Sequence, residues 1–191
     1  MALDEIDRKI VTQLQRDSRT TLEELGKITG YSSMGVKKRI DRLLKDKTIK
    51  VTALLNVGSI GLCAAIVLLE MESASSMQNL LERFKDCPRV VHIFSTIGGY
   101  NLIALVVADN QETLESISIE KCSLRSGRGI RRSEFYPIGN IHFSPFLSIR
   151  EDLTHKQETI TPCEVNCKPC IRYKLNKCVA CPATSYYRGS L

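Results

Sequence analysis

No stretch of this 191-residue sequence reaches the roughly 18 consecutive apolar residues that a membrane-spanning helix needs. The longest candidate, IGLCAAIVLL at Ile60–Leu69, is about half that length and reads as a buried strand. The opening MALDEIDRKI is charged and lacks the apolar core of a signal peptide. A cytoplasmic protein without a membrane partner is therefore expected. Histidine is scarce: His92, His142 and His155 are far apart, and each reads as a strand or surface residue rather than a ligand. Cysteine is scarce too over most of the chain. Cys63 falls in the apolar run and reads as core. Cys87 and Cys122 follow predicted helices and read as structural or partly exposed.

The chain is long enough for one large domain or two small ones, and 43% apolar content is enough for real cores. The net charge of +6 is unevenly spread. Residues 1–50 carry 12 Lys/Arg against 8 Asp/Glu, residues 51–149 carry 8 against 9, and residues 150–191 carry 7 against 4. Both ends are basic and the middle is not. A basic end suits nucleic acid but also suits a plain solvated face.

Three short helices are legible in the first fifty residues. Ile6, Ile10, Val11 and Leu14 share one helical face. Thr20 and Thr21 precede Glu23 and Glu24 by three residues, a capping-box start, and Leu22, Leu25 and Ile28 form the next stripe. TGYSS supplies a turn at Gly30 and a cap at Ser32 or Ser33. The third helix aligns Val36, Ile40, Leu43 and Leu44, with Met34, Lys37, Lys38, Arg42 and Lys45 opposite and Arg39 at the flank. A short helix, a tight turn and a helix with a basic outer face predict a helix-turn-helix, whose second helix enters the major groove. A three-helix bundle with a solvated lysine face is the blander alternative.

Leu3-Asp4-x-x-Asp7, Arg19, Leu25, Gly30-x-Ser32, Val36-x-x-Arg39-Ile40-x-x-Leu43 and Ile49 together resemble the N-terminal domain of the Lrp/AsnC regulators. Lys47 stands where that family commonly has glycine, so a left-handed turn there would cost roughly 1 kcal/mol.

After a linker strand, VTALLNVGSIG, strand-like and helix-like stretches alternate. Strands are expected over residues 62–71, 90–97, 102–108 and 130–138, with helices over 75–85 and 111–121. The order β-α-β-β-α-β predicts a ferredoxin-like domain. Placed behind the helix-turn-helix, it resembles the Lrp/AsnC ligand-sensing domain. The resemblance spans residues 3–138 and implies dimers, with further assembly to tetramers or octamers. STIGGYNL is similar to the family's loop for a small-molecule effector, which makes Gly98, Gly99, Tyr100 and Asn101 candidate effector residues. Gly99 and Asn101 stand where relatives often have acids, so a carboxylate for an α-ammonium group is missing. Gly98-Gly99 also reads as a plain hairpin turn.

The family does not usually extend past this domain. GNIHFSPFLSI, residues 139–149, reads as an extra strand or an edge cover, and residues 150–162 read as a polar linker. Then Cys163, Cys167, Cys170, Cys178 and Cys181 fall within nineteen residues, and Pro182 comes directly after the last. Two C-x2-C turns suit a tetrahedral zinc site with sulfur at about 2.3 Å. Zinc is therefore the cofactor expected, and the compact run, closed by a proline, offers a [4Fe–4S] cluster as the alternative. A flexible reduced tail is the third possibility.

The fold class expected is α+β. Residues 1–50 form a helix-turn-helix (winged-helix-like) domain and 51–61 a linker strand. Residues 62–149 form the ferredoxin-like βαββαβ domain, 150–162 a linker and 163–191 a Cys-rich metal-binding tail. The function expected is a sequence-specific transcription regulator, not an enzyme, whose partners are double-stranded DNA and itself as a homodimer. Metal or redox sensing through the tail is the added expectation. Lys37, Lys38, Arg39 and Arg42 would serve phosphates and base edges, while Ser32, Ser33 and Met34 approach the groove floor. Tetrapyrrole decarboxylases share this two-domain architecture and are the enzyme alternative, although they have no need of a basic third helix.

Overall fold

Asp4 begins the first helix by accepting the Asp7 N–H at 2.7 Å, and the Asp7 side chain reaches back to the Asp4 N–H at 3.5 Å. The computed structural model describes residues 2–191 and divides into two units, residues 1–53 and 54–191. In the first unit α1 spans Glu5–Arg16, α2 Leu22–Thr29 and α3 Ser33–Lys45. The capping box at Thr21–Glu24 forms as the sequence implies, and Ser32 caps α3 by accepting the Gly35 N–H at 3.2 Å. Ile10, Leu25 and Val36 make the core, with Ile6, Leu14 and Ile40 packed against it. Leu22, Ile28 and Leu44, expected in the apolar stripes, are exposed instead.

Two backbone features hold the turn between α2 and α3. Gly30 closes α2 in the left-handed region at φ 76°. A Cβ on Gly26 would stand 2.7 Å from the Tyr31 carbonyl oxygen, so the chain can fold back this tightly only over glycine. After α3, Lys47 adopts φ 53° and takes the left-handed turn with a side chain in place.

The second unit holds a four-stranded antiparallel sheet in the order β3-β4-β2-β5, with β2 at Cys63–Met71, β3 at Val90–Ser95, β4 at Leu102–Ala108 and β5 at Ile130–Pro137. Helices α4 (Ala74–Phe84) and α5 (Gln111–Ile119) complete the βαββαβ order. Strand alternation then divides the residues between two faces. Ala65, Val67, Leu69 and Met71 of β2, with Ala104 and Val106 of β4, pack with Leu80, Phe84 and Leu114 of the helices. On the opposite face Ile66 lies between Leu105 and Tyr136, and Leu68 between Ile103 and Glu134. All six are only partly covered or exposed, and so is Phe94 beside Ile103.

The linker strand is shorter than expected. Only Leu55–Asn56 (β1) pairs, with Phe146–Leu147 (β6), so residues 139–149 do supply an extra strand. The cysteine-rich tail is not held away on a polar linker. Leu153, Thr154 and Thr161 of that stretch are buried. A short helix α6 (Ile171–Lys174) separates the two C-x2-C pairs, and Cys167, Tyr173 and Ala180 form a small core of their own.

Candidate nucleic-acid interface and a cysteine-lined cavity

Helix α3 sorts its basic residues onto two sides. Ser32, Ser33, Met34, Lys37, Lys38 and Lys45 are exposed. Arg39 and Arg42 turn inward. Arg39 Nη1 pairs with Asp4 Oδ2 at 2.6 Å and with Asp7 Oδ1 at 2.9 Å. Arg42 Nη2 pairs with Asp7 Oδ2 at 2.6 Å. Asp7 is 1% exposed, so these two guanidiniums satisfy a buried carboxylate rather than an outside partner. The Arg39 guanidinium also lies over the Tyr31 ring, 5.1 Å from its centroid. Its hydrogen bonds to Asp4 and then Asp7 raise its already high pKa further, and the bond from the Asp7 backbone together with Arg39 holds the Asp4 carboxyl below its usual range. Arg39 thus ties α3 to α1, and the outward face is left to the serines, Met34 and the lysines.

The loop between β3 and β4 is built from different chemistry than its sequence suggests. Asn101 spends both ends of its amide on Met71, accepting the backbone N–H at 2.8 Å and donating to the carbonyl at 2.9 Å. It extends the sheet rather than facing outward. Gly98 and Gly99 are exposed at the loop tip. Tyr100 donates to Glu134 of β5, as does Tyr136, and the Arg132 guanidinium lies 4.3 Å from the Tyr100 ring centroid. These two tyrosine hydroxyls keep the Glu134 carboxyl below its usual range. The carboxylate that the loop lacks at Gly99 and Asn101 therefore stands next to it, contributed by β5.

The tail packs over the helical face of the sheet domain and encloses a cavity of about 450 Å³. Its walls include all five tail cysteines and also Cys87 and Cys122 of the sheet domain. Cys63 packs in the neighbouring core but does not line this space. Burial pushes the Cys87 and Cys167 thiols up to about 11 and Cys181 to about 12. Cys122 rises well above its usual value for the same reason, with Cys163, Cys178 and Cys167 adding to the effect. Among the described residues no three Cys, His, Asp or Glu converge on a single-ion site. The thiols ring a space instead of meeting at a point.

Hydrogen bonds to the sheet domain fix the tail backbone beside its cysteines. Arg83 Nε donates to the Cys163 carbonyl at 3.2 Å, Ser116 Oγ to that of Lys177 at 2.8 Å and Arg89 Nη2 to that of Ala180 at 2.8 Å. The Val179 N–H donates to Thr113 Oγ1 at 3.3 Å. Arg89, 5% exposed, also pairs through Nη2 with Asp109 at 2.8 Å, whereas its Nη1 has no hydrogen-bond partner. Asp109 in turn accepts from the Tyr187 hydroxyl and from the N–H groups of Ser190 and Leu191. Cys87, Cys122 and Arg89 carry no local motif that would have marked them. Only the fold brings them to the tail.

The pattern of the AsnC-type helix-turn-helix domain matches residues 3–44, and that of the Lrp/AsnC ligand binding domain matches residues 64–136. The chain is 30% identical over 115 residues to the HTH-type transcriptional regulator FL11 of Pyrococcus furiosus, covering 60% of this chain and 76% of that protein. It is similar in structure to the Feast or famine regulatory protein from M. tuberculosis complexed with L-methionine, at 28% identity and a TM-score of 0.65, over 75% of this chain and 96% of that one. E. coli AsnC shares the fold at 18% identity and a TM-score of 0.66, over 75% and 97% of the two chains. These relatives carry the names of regulators, which goes against the decarboxylase alternative. All of the tail cysteines lie beyond both matched ranges.

Proposed function

The chain belongs to the Lrp/AsnC family of HTH-type transcriptional regulators, and from that premise we propose that it binds specific DNA sequences as a homodimer through α3. The observation that carries this reading is the division of α3. Ser33, Met34, Lys37 and Lys38 are free on one face, while Arg39 and Arg42 are consumed by Asp4 and Asp7. Ser33 and Met34 sit in the first turn, the part of a recognition helix that approaches base edges, and Lys37 and Lys38 suit flanking phosphates. The N–H groups of the first turn add a positive dipole end toward the backbone.

The open face of the sheet supports pairing. Ile66, Leu68, Ile103, Leu105 and Phe94 form a contiguous apolar surface on strands that a second copy would cover. A dimer would also present two recognition helices to two half-sites. For a small-molecule effector, the candidate surface is the Gly98–Tyr100 loop with Glu134, whose carboxylate is suited to an ammonium group.

Selection from a pool of random duplexes by the full-length protein tests the reading. The expected result is enrichment of one inverted-repeat motif, lost with Ser33→Ala combined with Met34→Ala but not with Lys45→Ala. A pool that stays random after repeated rounds would refute sequence-specific recognition.

A further inference from the structure

We propose that the cavity beneath the tail holds an iron–sulfur cluster of the [4Fe–4S] class, ligated by thiolates of the tail together with Cys87 and Cys122 of the sheet domain. This inference does not depend on the DNA reading. Seven of the eight cysteines line one space, and that space has the volume of a ligand site, about 450 Å³, where pockets commonly run from about 300 to 1,000 Å³. Sulfur is its characteristic donor and no histidine lines it, which selects soft metals. Zinc would draw four sulfurs to one point at about 2.3 Å, and the described residues form no such point. A cluster has bulk and needs four thiolates around it, and seven cysteines line this one space.

A further feature suits an anionic guest. Arg89 lines the cavity, is almost wholly buried and has one Nη1 donor without a partner. A buried, unused guanidinium N–H is costly unless something accepts from it. A cluster bearing four thiolates is negatively charged overall, and hydrogen bonds to its sulfurs tune it. Ala180, between Cys178 and Cys181, takes φ 68°, a left-handed turn that an L residue rarely adopts, and Arg89 holds its carbonyl there. The wall is therefore set by the sheet domain, and each thiol that ligates releases its proton to solvent as the metal enters.

The test uses the full chain, purified anaerobically and reconstituted with ferric iron, sulfide and a dithiol that reduces half of the iron. The expected content is about four iron and four acid-labile sulfide per chain, with a broad visible absorption that dithionite bleaches. Cys87→Ser and Cys122→Ser should each lose most of the iron or shift the spectrum of what remains, whereas Cys63→Ser should match the parent. Far-UV circular dichroism separates loss of ligation from loss of fold, and a changed spectrum at retained occupancy is something a packing role alone would not produce. One equivalent of zinc with no iron, or no metal at all, would overturn the cluster. Full iron and an unaltered spectrum in both Cys87→Ser and Cys122→Ser would overturn ligation by the sheet domain. Because the readout is metal content and spectrum, its failure is distinct from a failure to bind DNA.

Discussion

Asp7 of α1 and Arg39 of α3, 32 residues apart, meet at 2.9 Å. Asp7 is buried, and its second oxygen is taken by Arg42 at 2.6 Å. One carboxylate thus ties α1 to α3. Removing one partner of a buried pair leaves the other charge uncompensated, which costs about 3–5 kcal/mol. Asp7→Ala should lie near the low end, about 3 kcal/mol, because Arg42 stays half-exposed at 41%. Lys38→Ala, on the exposed face, should change stability by less than about 0.5 kcal/mol. Denaturant titration of the helix-turn-helix measures both. Equal effects from the two substitutions would show that the pair is not a structural tie.

Pairing through the sheet makes a second prediction. Leu68 sits between Ile103 and Glu134 on the partly open face. The parent should have the mass of a dimer by light scattering at micromolar concentration, and Leu68→Glu that of a monomer with the helix content unchanged. An unchanged mass would place the dimer contact elsewhere.

The Asp109 clamp carries a pH dependence. Burial by itself would raise the Asp109 carboxyl, but Arg89, the Tyr187 hydroxyl and the Ser190 N–H outweigh it and hold the carboxyl below its usual value. A depressed carboxyl contributes stability that is fully present above the unfolded-chain value, about 3.9, and is lost as pH falls through the lower folded value. Tail docking should therefore be constant from about pH 5 upward as far as Asp109 is concerned, and should weaken only in stronger acid. Asp109→Asn should loosen the tail even at neutral pH, because it leaves Arg89 buried without its anion. The chain has no tryptophan, so tyrosine fluorescence of Tyr173, Tyr186 and Tyr187 reports the change. A parent that loosens between pH 7 and 5 while Asp109→Asn behaves identically would exclude this clamp.

Much of the fold was legible in residue order because its signals are local. The Thr21–Glu24 box, the Ser32 cap and the apolar run of 62–71 each act within a few residues, and the structure places elements there. The inward turn of Arg39 and Arg42 was not legible. Arg39 reads as a flank residue, which suits either side of the helix, and Arg42 as part of the outer face; the deciding partner, Asp7, is more than thirty residues away. The bonds of Asn101 were hidden for a similar reason: a polar residue after two glycines reads as a loop residue, and its amide partner, the backbone of Met71, is thirty residues away. The five tail cysteines declared themselves by spacing. Cys87 and Cys122 could not, since each is a lone cysteine after a helix until the sheet brings it under the tail.

The division of α3 into an outward lysine face and inward arginines is tested most directly by the salt dependence of DNA binding. Affinity of the full-length protein for its selected duplex is measured from low to moderate salt, for the parent and for Lys37→Ala combined with Lys38→Ala. Each phosphate contact contributes about 0.9 to the slope of log K against log salt. A dimer whose two lysines per protomer all face phosphate should lose about 3.6 from that slope, with stability unchanged. An unaltered slope and affinity in the folded double variant would contradict the account.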